Sequence, residues 1–88
     1  MIKLKAAFKG VPFTLEINGK QVIHFGFNEK GKWIKTQWFP PMDKKVMGNL
    51  PREEYIQWSL AKNEEEVYNL IKIDLIKNQC IITDEERN

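Results

Sequence analysis

The chain has 88 residues, 42% apolar and 30% charged, a composition suited to one ordinary globular domain able to fold without staples. Its formal net charge of +2 hides an uneven split: residues 1–45 carry +6, nine lysines against Glu16, Glu29 and Asp43, and residues 46–88 carry −4, five basic residues against nine acidic ones. Lysine outnumbers arginine twelve to two, which weighs against a dedicated phosphate reader.

The sequence contains no apolar run of about 18 residues, so no membrane span is expected. MIKLKAAFKG has lysines but no long apolar stretch before a small-residue cleavage site, so no secretory signal is expected either. Cys80 is the single cysteine. It cannot form an internal disulfide, and it points to a reducing, cytoplasmic setting.

In chain order, Ile2, Leu4, Ala6 and Phe8 alternate with Lys3, Lys5, Ala7 and Lys9. This period of two predicts a strand with one buried face. Gly10 and Pro12 interrupt it, and Val11, Phe13, Leu15 and Ile17 form a second apolar row.

Asn18-Gly19 is a hairpin signal with two readings. A two-residue type I′ turn places Leu15 opposite Val22 and Phe13 opposite His24. It sends Ile23, Phe25 and Phe27 to the other face. A three-residue loop, Asn18-Gly19-Lys20, places Leu15 opposite Ile23, Phe13 opposite Phe25 and Val11 opposite Phe27. The longer loop is favoured because it gathers the large apolar groups on one face.

Asn28-Glu29-Lys30-Gly31 suits a four-residue loop with glycine in the left-handed region. It places Phe25 opposite Ile34 and Ile23 opposite Thr36, with Trp38 on the same face. Pro40-Pro41 ends that strand, since neither proline donates to a ladder.

Residues 40–51, PPMDKKVMGNLP, read as a connection. Its apolar content and length mark it as a contact surface, with Met42, Met47 and Leu50 as anchors framed by Lys44 and Lys45. The competing reading is a cover for the open end of the core.

Residues 53–61 carry two signals. Pro51 followed by Glu53 and Glu54 resembles a helix start. Ile56, Trp58 and Leu60 alternate with Gln57 and Ser59, and on that alternation a strand is chosen. Asn63 can cap a helix whose glutamates complement its dipole. Val67, Leu70, Ile71 and Leu75 then recur at helical spacing, predicting a helix over 63–78. Residues 80–83 suit a short last strand, with 84–88 a frayed charged tail.

The inventory for catalysis is thin. His24 is the only histidine. No CxxC, HxxxH, GxGxxG or GxxxxGK[ST] pattern is present, so neither metal nor cofactor is expected. Cys80 and His24 form a dyad only if the fold brings them together. The plainer reading makes Cys80 a small buried hydrophobe and His24 a sheet-surface residue. Glu64, Glu65 and Glu66 read as a solvated first helical turn.

The expected architecture is α+β: an antiparallel sheet of four to five strands with one helix on one face. The opposite face would display Lys3, Lys5, Lys9, Thr14, His24, Trp33, Lys35 and Gln37, with Glu16 among them. The expected function is non-catalytic: a small intracellular protein that docks on a protein partner as regulator, inhibitor or assembly component. Met42, Met47, Leu50 and Trp33 are the expected contacts. The alternative is single-stranded nucleic-acid binding by Lys3, Lys5, Lys35 and Trp33, since lysines track phosphates and an exposed ring stacks bases.

Overall fold

The structure, a computed structural model, describes residues 1–39 and 52–87. Among these residues the elements in order are β1 (Ile2–Phe8), β2 (Val11–Asn18), β3 (Gln21–Phe27), β4 (Trp33–Phe39), α1 (Arg52–Leu60), α2 (Glu64–Lys77) and β5 (Ile81–Arg87). The strands form one antiparallel sheet in the order β4-β3-β2-β1-β5, and α2 packs across one face. The fold is α+β, as expected. The expectations for Met42, Met47 and Leu50, and for the Trp38 side chain, lie outside the described residues.

Alternation builds the first hairpin. Ile2 pairs with Ile17, Leu4 with Leu15 and Ala6 with Phe13, which puts these apolar rows on the helix side. The two-residue turn Lys9-Gly10 has φ values of 51° and 81°, the pattern of a type I′ turn. Ile2, Leu4, Leu15, Ile17 and Val22 meet Val67, Tyr68, Ile71 and Leu75 of α2 in a single core. Asn63 caps α2 by accepting from the Glu66 N–H at 2.9 Å.

Four expectations need correction. The β2–β3 hairpin closes on neither anticipated loop. Asn18 pairs with Gln21, Ile17 with Val22 and Leu15 with His24, leaving Gly19-Lys20 as the turn. Gly19, at φ 61°, supplies the positive φ that the first position of such a turn requires. Tertiary bonds hold this register: Glu64 accepts from the Gly19 N–H at 2.9 Å, and the Trp58 indole donates to the Lys20 carbonyl at 2.8 Å. Val22 is therefore buried in the core, while Ile23 and Phe25 take the opposite face together with Thr14 and Glu16.

The next loop is one residue longer than expected. Phe27 pairs with Trp33 and Phe25 with Lys35, so residues 28–32 make the connection. Asn28 organises it, its side-chain oxygen accepting from the N–H groups of Lys30 and Lys32, each at 2.9 Å. Gly31 lies in the left-handed region at φ 76°.

Residues 52–60 are a helix, not a strand. The alternation that favoured a strand does not track burial, since Ile56 and Leu60 are exposed and only Trp58 packs against the core. The acidic residues after Pro51 were the better signal.

Residues 84–87 are not a frayed tail. They continue β5, with Asp84 beside Lys5, Glu86 beside Lys3 and Arg87 beside Ile2. The register shifts between Lys5 and Ala6, where the Thr83 hydroxyl donates to the Lys5 carbonyl at 3.1 Å. Opposite charges across strands and an Arg87–Glu65 ion pair of 2.7 Å hold the charged segment in place.

Candidate functional site

The register brings large apolar side chains to one end of the sheet, where α2 stops. Phe8 and Val11 close the first hairpin there, Phe27 and Trp33 face each other across β3 and β4, and Ile81 lies beside Ala7. Their exposures run from 43% for Phe8 and Trp33 to 68% for Ile81. Apolar surface gathered in this way marks a contact site more strongly than scattered exposed residues do.

On the face away from α2, the rings of Phe27 and Trp33 meet edge-on, with centroids 4.9 Å apart and planes at 79°. The Asn28-centred loop fixes the return of the chain and so positions Trp33. Ile23 and Phe25 extend this surface along β3. Sequence reasoning placed them in the core. Gly26 was the available signal against that assignment, because it lies in phase with Val22 and His24 and leaves the aromatics of β3 on the other side.

Lys3, Lys5, Lys35 and Trp33 do share this face, as the nucleic-acid reading requires. The charges of Lys3 and Lys5 are locally balanced. Lys3 lies between Glu16 and Glu86, and Lys5 lies between Thr14 and Asp84. Only Lys35 sits beside an aromatic, Phe25.

His24 belongs to the helix side, a correction that follows from the hairpin register. Its ring lies 5.6 Å from that of Phe13, and its Nδ1 is 3.3 Å from the Thr36 hydroxyl. Gly26 makes room for it: a Cβ there would stand 2.6 Å from the imidazole Cε1. Burial lowers the His24 pKa below its ordinary 6.5, which favours the neutral ring at pH 7.

His24 lines a cleft of about 970 Å³ between the end of α2 and the β1–β2 hairpin. Asp74, Leu75 and Cys80 line it from the other side. The fold thus brings the only histidine and the only cysteine to one cleft. Their electrostatics oppose a thiolate–imidazolium pair. Burial first, and then the Asp74 carboxylate, push the Cys80 thiol up, whereas an activated cysteine needs it lowered. Among the described residues, no group of three or more His, Cys, Asp or Glu side chains is placed to hold a metal ion.

No helix among the described residues is long and apolar enough to cross a membrane. No family model, curated protein or solved structure matches the chain.

Proposed function

We propose that the protein is a non-catalytic docking module that engages a protein partner through the exposed aromatic surface around Trp33 and Phe27. The edge-to-face Phe27–Trp33 pair carries this reading. Two large rings, each more than two-fifths exposed, are held in fixed geometry by a hydrogen-bonded loop. Rigid aromatics of this kind dominate interface energy and cost little entropy to immobilise. The acidic neighbours of Lys3 and Lys5 elsewhere on the same face suit a protein surface better than a polyanion. The role is that of a regulator, inhibitor or assembly component in the cytoplasm, where a lone unpaired cysteine is at home.

The test is quantitative capture of partners from a native extract by wild type, Trp33→Ser and Phe27→Ser. Each substitution should weaken capture by about thirtyfold, equivalent to ~2 kcal/mol, while the melting temperature stays nearly unchanged. Equal capture by all three proteins would remove this surface from consideration.

A second reading is single-strand binding by Lys3, Lys5, Lys35 and Trp33, supported by their shared face. Titration with oligo(dT) and oligo(U) across a salt series separates the two. Phosphate contacts give affinity that falls steeply with salt, and an aromatic protein contact does not.

A further inference from the structure

The cleft on the helix side has walls and lips of different chemistry. Phe8, Val11, Phe13, Phe27 and Leu75 supply apolar walls, and Gly26 opens the space beside the His24 ring. Lys9, in the β1–β2 turn, and Lys77, in the last turn of α2, both line the cleft. The Lys9 ammonium lies 5.3 Å from the centroid of the Phe8 ring, so a positive charge rests directly against an apolar wall.

We propose that this cleft binds an amphipathic carboxylate, an aliphatic chain carrying one anionic head. Apolar walls with a few polar groups at the mouth, enclosing several hundred Å³, are the usual form of a small-molecule site. The charge at the mouth selects the head group. Two ammonium groups stand against one carboxylate, Asp74, which already accepts from the Asn78 side-chain amide at 3.2 Å. The neutral His24 ring adds no charge inside. No arginine lines the cleft among the described residues, so the fork that favours phosphate is missing, and a single carboxylate fits the two point charges better. The site adjoins the docking surface, since Phe27 borders both, whereas Trp33 lies outside the cleft.

Cys80 lines the cleft and reports on its occupancy. The experiment measures iodoacetamide alkylation of Cys80 by mass spectrometry, in the presence of dodecanoate or dodecyltrimethylammonium below their micelle concentrations. Dodecanoate should slow alkylation saturably and the cationic chain should not. Lys9→Glu/Lys77→Glu should need roughly five- to tenfold more dodecanoate for the same protection, since each exposed ion pair is worth up to about 1 kcal/mol. Trp33→Ser should be protected like wild type. The proposal is overturned if dodecanoate gives no protection, if it accelerates alkylation, or if both chains protect wild type equally. Unchanged protection of the folded double variant would overturn it as well. If that variant does not fold, the comparison of the two chains on wild type still decides.

Discussion

At the end of the sheet where α2 begins, polar groups hold one another, and at the end where α2 stops, apolar side chains meet solvent. The first end is closed by Glu64, which accepts from the Gly19 N–H at 2.9 Å and pairs with the Met1 amine at 3.2 Å. Those contacts, the Gly19 bond foremost, hold the Glu64 carboxyl below its ordinary range. Nearby, Arg87 lies over the Tyr68 ring at 4.4 Å and pairs with Glu65. The Lys20 side chain donates to the Ser59 carbonyl at 2.9 Å and sits over the Trp58 ring at 4.8 Å. The second end offers Phe8, Val11, Phe27, Trp33 and Ile81, with a cleft between them and the helix. Directional polar contacts that satisfy one another leave less to recruit a partner, with Leu60 of α1 the exposed apolar side chain beside them. Unburied apolar area retains its driving force until something covers it.

The sharpest way to break this contrast is to compare the two faces of the sheet. Leu15→Ala removes a fully buried side chain and should cost about 2–5 kcal/mol in urea unfolding. Phe25→Ala, on the opposite face, should cost clearly less despite its larger side chain, since part of that side chain is already in water. Equal losses would mean that the outer face is as closed as the core.

A smaller effect is expected at the closed end. Asn63→Ala removes the cap on the Glu66 N–H and should cost about 1 kcal/mol by equilibrium unfolding. Asn63→Asp should retain most of the stability. An alanine variant as stable as wild type would show that the closed end does not depend on its polar contacts.

His24 gives a smaller effect still, visible through pH. Burial lowers its folded pKa, so the unfolded chain takes up the proton first. Its contribution to stability is present above pH 6.5 and is lost as pH falls through the lowered folded value. Melting temperature should therefore decline on acidification below neutrality, and His24→Gln should flatten that part of the profile. A profile that is identical in the variant would assign the decline to other groups.

The smallest expected effect sharpens the comparison from the open end. Trp33→Ser should change unfolding free energy by less than about 1 kcal/mol, because over two-fifths of the side chain already meets solvent and its edge-on contact with Phe27 is what is lost. A loss of several degrees in melting temperature would make Trp33 a structural residue and move the docking surface elsewhere.

Local chemistry made much of the fold legible. Asn63, the three glutamates and the spacing of Val67, Ile71 and Leu75 announce α2, because capping and amphipathicity act within a few residues. Alternation in Ile2–Phe8 and Val11–Ile17 identifies the first hairpin and its buried face for the same reason. The candidate site was half legible: Trp33 stood out as an exposed aromatic beside a turn, and Phe27, its partner, was placed on the wrong face.

Long-range contacts decided the rest. The β2–β3 register depends on Glu64 and Trp58 reaching the Gly19-Lys20 turn across 45 and 38 residues of chain. One residue of slip exchanges the two faces, so this choice determined whether Phe25 and Phe27 lay inside or outside. Residues 84–87 became a strand only because β1, at the far end of the chain, offered an edge lined with Lys3 and Lys5. Composition and periodicity fix what each segment prefers. Where two registers satisfy the same local preferences, the contacts made after the chain folds back on itself select between them, and here that selection placed the aromatic surface and opened the cleft.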